Sequence, residues 1–306
     1  MNTETIAKAL RQLGKKLCNT QTAPFFGQIC TLAASRNPRL QADAVVRVLE
    51  NWGQYLAEGN FPAIEVGESH RVAIVSSETD EPFCAIADWL TVLLAGHTAV
   101  VKTSDSDEVV LPAMARVLAD IEPLLAERTE FAKGPIGNFD AIVATAPAGS
   151  AAEQYFSRFP HYFRAPLPLL VKIGENHTAE QLLPLCKHIF GMAELGYSPA
   201  LLLQIPEEYD FKPLFQAAES FRPIFDNHLY RSSIDYHKSI FLLNAEPFAD
   251  GDFWILRNNG EFLSPLGITN YTHGPVAEKC QEMTPEQFPL RPTLENPSLI
   301  KFLETI

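Results

Sequence analysis

The 306-residue sequence is short of cysteine, of positive charge and of long apolar runs, and each shortage removes a class of protein. Its five cysteines, Cys18, Cys30, Cys84, Cys186 and Cys280, are odd in number, widely spaced and never arranged as CxxC. Such a set supports neither a disulfide framework nor a zinc knuckle, and each thiol reads first as a small apolar packing residue. With 24 basic against 37 acidic side chains the formal charge is -13, which disfavours a general binder of nucleic-acid backbones. No apolar run approaches the roughly 18 residues that a membrane span needs. The opening MNTETIAKALRQLGKKL has an amphipathic helical pattern rather than the apolar core of a signal peptide, so a cytoplasmic location is expected.

Signature motifs are missing as well. There is no GxGxxG, no phosphate-binding loop with its lysine, no GxSxG elbow and no internal repeat. His177 and His188 are 11 residues apart and His228 and His237 are 9 apart. Without a pair at i, i+4 on one helix face, no metal site is expected.

What is present is alternation. Residues 1 to about 62 place apolar side chains at spacings of three and four, as helices do, and the second helical stretch ends at Gly59, a natural cap. From Arg71 the pattern becomes strand RVAIVS, helix EPFCAIADWLTVLLAGH, strand TAVVKT, helix SDEVVLPAMARVLADIEPLL, strand FDAIVAT and helix SAAEQYFSRF. Strands and helices alternating at these lengths predict a doubly wound parallel sheet. After the Pro-containing segment 164–168 the alternation resumes with LLVKIG, TAEQLLPLCKHIFGMA and ALLLQIP, then two helical stretches and the strand-like FWILRN and LGITNYT. The expected organisation is α/β throughout: a helical N-terminal segment with a nucleotide-binding-type domain over 1–165, and a smaller α/β catalytic-type domain with the C-terminal tail over 166–306.

Candidate site residues follow from that layout. Lys102 stands at the C-terminal end of the second strand and Ser104 opens the next helix, at the edge where open α/β sheets bind ligands; a lysine there can hold a ribose hydroxyl or a phosphate, and the bland alternative is a solvated lysine and an ordinary N-cap. The third strand runs into ATAPAGSAAEQ, where the amides near Gly149 and Ser150 could face a pyrophosphate or simply form a turn and a cap. Residues 227–239, NHLYRSSIDYHKS, either line a pocket or form the wet face of a helix.

Taken together, the segments VLENWGQYL, EPFCAIADWLTVLLAGHTAVVKTSDSDEVVLPAM, FDAIVATAPAGSAAEQYFSRFPHYFR, EEYDFKPLF, NHLYRSSIDYHKSIFLLN and LSPLGITNY resemble, in order and from about residue 40 onward, the acyl-CoA reductase family related to the fatty-acid reductase of bacterial luminescence, a branch of the aldehyde dehydrogenase superfamily. The resemblance implies an aldehyde-dehydrogenase-like fold, NADP or NAD as cofactor, an acyl thioester as small-molecule ligand, and reduction through a cysteine-bound thiohemiacetal and thioester; a homodimer is one assembly it leaves open. It implies an adenosine-ribose site at Lys102 and Ser104, a pyrophosphate loop at Thr145 to Ser150, and a nicotinamide-ribose contact at Glu261.

Three departures stand against the family chemistry. Where the family has leucine, glycine, cysteine, this sequence has Leu195, Gly196 and Tyr197, and a phenol with pKa of about 10 is a poor substitute for a thiolate. Where the family supplies an asparagine amide to the oxyanion, TDEP places Asp80 between Thr79 and Glu81; losing one such donor costs about 3 kcal/mol of transition-state stabilisation. Ala146 replaces a usual glycine, and the tail lacks much of the family's acidic, glycine-containing close. Cys84 and Cys186 are the substitute thiols the sequence offers. Three readings follow: a reductase with another nucleophile, a noncatalytic protein that retains a nucleotide or acyl-ligand pocket or acts as a partner subunit, or different chemistry with Tyr197, His228 or Lys238 as acid or base.

Overall fold

The computed structural model describes residues 3–18, 24–65, 67–76, 82–104, 108–146, 149–164, 168–289 and 292–306. The chain forms two compact units, Met1–Pro166 with Arg291–Ile306, and Leu167–Leu290.

The first unit opens with helices α1 (Thr3–Leu17), α2 (Pro24–Arg36) and α3 (Ala42–Glu58). Leu10, Leu13 and Leu17 of α1 and Leu49 and Leu56 of α3 are fully buried, because spacings of three, four and seven hold them on one helix face. Gly59 caps α3 in the left-handed conformation, with its N–H on the Tyr55 carbonyl. The sheet contains β1 (Arg71–Val75), β2 (Thr98–Lys102), β3 (Thr129–Phe131), β4 (Ala141–Thr145) and β5 (His161–Arg164), with crossover helices α4 (Cys84–Leu94), α5 (Val110–Ile121) and α6 (Ala151–Phe156). Its order is β3-β2-β1-β4-β5 and every pairing is parallel. Strand β4 is buried at all five positions, and α4 is buried nearly all round, with Trp89 inaccessible. The strand order reverses between β1 and β4, which makes the C-terminal ends of these strands the topological switch point.

The second unit carries β6 (Leu169–Lys172), α7 (Ala179–Glu194), β7 (Leu201–Gln204), α8 (Lys212–Ala218), α9 (His228–Leu243), β8 (Phe248–Asp250), β9 (Ile255–Asn258), β10 (Ile268–Thr272) and β11 (Gln281–Met283). Its six strands run in the order β11-β6-β7-β10-β9-β8, parallel except for the β8–β9 pair. Phe190, Phe253 and Trp254 help fill its core, the Phe190 ring tilted against Phe253 at 5.6 Å and edge-on to Trp254 at 5.3 Å.

Two features depart from the sequence reading. The strands β3, β5, β8 and β11 were not expected: each has only three or four residues and no fully buried position, so none displays the apolar run by which a strand is recognised. The tail, grouped with the second domain on sequence, returns to the first unit as α10 (Pro297–Thr305). The phenol of Tyr55 accepts from the Leu294 N–H at 3.0 Å. His97, almost wholly buried, accepts at Nδ1 from the His70 N–H and therefore donates through Nε2 to the Leu303 carbonyl at 2.9 Å.

Candidate functional site

Parallel pairing of β1 with β2 and β4 brings several of the singled-out residues to one edge of the first sheet. Lys102 ends β2 opposite Val75 and is exposed, while its carbonyl accepts from the Ser76 N–H. Ser104 lies half-buried two residues beyond the strand. Thr145 ends β4 and is buried. Burial on both faces fixes these positions: β2 and β4 are continuous apolar runs through their middles, so their polar side chains fall at the strand ends.

The loop after β4 delivers Gly149 and Ser150 to the start of α6. Gly149 has φ +79, and the space around its missing Cβ is open, so the requirement there is conformational rather than steric. Its N–H already has an acceptor: Glu153 Oε2 at 2.6 Å. Ser150 Oγ in turn accepts from the Glu153 N–H at 3.1 Å. The start of α6 is thus capped by its own glutamate, which holds an anionic oxygen on an amide where an external anion would have to sit.

A second polar group at this edge gave little sequence signal. Arg164, the last residue of β5, pairs with Asp88 of α4 at 2.5 Å, donates to the Val75 carbonyl at 3.2 Å and reaches Cys84 Sγ at 3.4 Å. Asp88 is 6% exposed. In the sequence Asp88 sits inside an apolar helix and Arg164 at an expected linker; an acid in an apolar run is the one hint that a cation comes to meet it. Asp80, proposed at the oxyanion-donor position, lies outside the described residues.

In the second unit the turn after α7 is a Schellman motif. Gly196 has φ +78, its N–H donates to the Ala193 carbonyl at 2.9 Å, and the Tyr197 N–H donates to the Met192 carbonyl at 3.0 Å. Tyr197 is half-buried just past the helix. Ser198 Oγ donates to the Pro265 carbonyl at 3.1 Å, which ties this turn to the loop that carries Glu261. Asn270, buried on β10, pins the same loop by donating to the carbonyls of Glu261 and Leu263. Glu261 itself is exposed, with its carboxylate 3.4 Å from the Asn259 amide.

The remaining candidates are committed elsewhere. Burial pushes the Cys186 thiol up to about 12 and the Cys30 thiol, also facing Glu50 and Asp43, up to about 11. Neither is a thiolate near neutral pH. Lys238 pairs with Asp250, and His228 shares a hydrogen bond with Ser232 on its own helix. Among the described residues no group of three or more His, Cys, Asp or Glu side chains could hold a metal ion, and no helix is long and apolar enough to cross a membrane.

No protein-family model matches the sequence, and no curated relative matches it. Solved structures do match the fold. An acetylating aldehyde dehydrogenase from Geobacillus thermoglucosidasius superposes with a TM-score of 0.58 at 13% identity, over 90% of this chain and 72% of that one. A propionaldehyde dehydrogenase from Rhodopseudomonas palustris, determined with bound CoA and an acylated cysteine, gives 0.55 at 10% identity over 89% and 72%. An aldehyde dehydrogenase from Mycobacterium tuberculosis, complexed with NAD+, gives 0.54 at 13% identity over 89% and 68%. At such identities the likeness is one of architecture: the chain has the α/β fold of the aldehyde dehydrogenases.

Proposed function

We propose that the chain is a LuxC-like member of the acyl-CoA reductase group that binds a nicotinamide nucleotide, NAD or NADP, or an acyl thioester, without carrying out thiol-dependent reduction. The observation behind this reading is Tyr197 itself. It occupies the turn after α7, and the nearest thiol in sequence, Cys186, is buried with its pKa near 12. A phenol cannot form and release a thioester, so a protein with this turn lacks the covalent step.

In this reading Lys102 and Ser104 hold the adenosine ribose, and Thr145, Gly149 and Ser150 approach the pyrophosphate. When bound, the cofactor supplies or accepts a hydride; the chain's own part is to orient it at the sheet edge. Lys102, exposed at its strand end, fits that task. The Gly149 amide fits it once the Glu153 carboxylate swings away. A cytoplasmic homodimer acting on small molecules rather than nucleic acid belongs to the same proposal.

The test is an NAD(P)H oxidation assay with a panel of acyl-CoA esters on the native chain and on Tyr197→Cys, with calorimetric titration of NAD+, NADH, NADP+ and NADPH into both. Cofactor heat with no turnover by the native chain is the expected result. Turnover by the native chain overturns the nucleophile assignment and directs attention to Cys84. Absence of binding by all four nucleotides and by the acyl-CoA esters overturns the binding role.

A further inference from the structure

Away from the sheet edge, the helical layer of the first unit contains a cavity of about 510 Å³, within the size range of small-molecule sites. Residues from the last turn of α1, the first turn of α2 and the second half of α5 line it. Phe26 and Val117, both nearly buried, make it apolar. Phe25 packs edge-on against Phe26, with centroids 5.3 Å apart and planes at 72°, yet is 38% exposed. A partly uncovered ring beside a buried one leaves aromatic surface for a third ring to stack on.

The charges around this apolar surface reverse the sign of the molecule. Among the described residues that line it, Lys16 comes from α1 and Arg116 from α5, with the carboxylate of Asp120 one turn from Arg116, in a chain whose formal charge is -13. No acidic residue occupies the first turn of α2, so no carboxylate within that turn offsets the positive pole of its helix dipole beside Phe25 and Phe26. A wholly apolar ligand would desolvate Lys16 and Arg116 and offer them no charge in return. A small inorganic ion would leave the Phe25 ring uncovered.

We propose that this cavity binds a planar aromatic anion, with its ring on Phe25 and its acid group held by Lys16 and Arg116. The site is independent of the sheet edge and of the nucleotide reading above.

Calorimetric titration of the full chain with 2-naphthoate tests it. Saturable binding at one site with Kd below about 1 mM is expected, with 2-naphthol and acetate each weaker by about tenfold or more. Exchanging both cations, Lys16→Glu with Arg116→Glu, is expected to weaken 2-naphthoate by about tenfold or more, the loss of at least one charge-assisted contact, and Phe25→Ala by several-fold. These three side chains are exposed, and circular dichroism on each variant confirms an unchanged fold. Equal binding of 2-naphthol and 2-naphthoate, binding unmoved by the charge exchange, or no saturation by about 5 mM overturns the proposal. Displacement of 2-naphthoate by NAD+ or NADPH also overturns it, by moving the probe to the sheet edge; loss of nucleotide binding with 2-naphthoate binding intact defeats only the earlier reading.

Discussion

Gly149 and Gly196 adopt almost the same left-handed conformation, at φ +79 and +78, at opposite poles of two helices. Gly149 precedes α6, so its turn exposes backbone N–H groups, and Glu153 answers with a carboxylate. Gly196 follows α7, so its turn consumes carbonyl groups, and the N–H groups of residues 196 and 197 close them internally. One conformation therefore makes an acceptor-seeking site in the first unit and a self-satisfied cap in the second. The polar edge of the first unit is held by charge, through Arg164 and Asp88; the turn of the second is held by backbone geometry. Such a turn can persist on its capping alone, whatever side chain follows the glycine.

Breaking the charge-held edge has the largest expected effect. Arg164→Met leaves the Asp88 carboxylate in its buried setting without its cation, and chemical denaturation should register a loss of about 3 kcal/mol, as for other broken buried pairs. Gly196→Ala attacks the geometry-held turn and should cost about 1–2 kcal/mol, because an alanine Cβ is strained at that φ; a loss as large as that of Arg164→Met would erase the distinction between the two regions.

A third expectation concerns pH and belongs to the first unit alone. Burial is the main reason that the His97 imidazole lies below its ordinary value, with His70 and Arg128 adding repulsion against a charged ring and the Leu303 carbonyl opposing the shift. The folded state thus prefers the neutral ring. The stability this contributes is intact above the unfolded value of about 6.5 and drains away as pH falls through the folded one. Unfolding monitored by α10 docking, for instance by a label near Leu303, should show that loss between neutral and mildly acid pH, and His97→Phe should flatten it. The smallest effect sharpens the comparison: Glu153→Gln removes the resident carboxylate from the Gly149 amide and should raise nicotinamide-nucleotide affinity about two- to fivefold, a fraction of a charge-assisted bond. Unchanged affinity would place the nucleotide elsewhere or remove it.

Much of this edge was legible in the sequence because it is local. The short apolar runs RVAIV, TAVVK and AIVAT place Lys102 and Thr145 at strand ends before any tertiary contact is known, and a glycine and serine before a helix mark α6. What escaped notice depends on distance along the chain. Arg164 is 76 residues from Asp88, and His97 is 206 from Leu303; no periodicity links such pairs. The short strands at the sheet margins were hidden for a related reason, since β3, β5, β8 and β11 are specified by their neighbours' hydrogen bonds rather than by their own side chains. At Tyr197 the sequence showed which side chain follows the glycine, while the way the turn is held, by backbone hydrogen bonds, emerged from the fold.

The return of α10 to the first unit has a consequence for the order of synthesis. Residues 167–290 make up the second unit as one unbroken stretch and can collapse while still emerging from the ribosome. The first unit begins earlier but finishes later, because His97 waits for a carbonyl made more than two hundred residues after it. During translation His97 therefore lacks its native partner until the Leu303 carbonyl has left the exit tunnel, so the first unit is completed only after all of the second has been made.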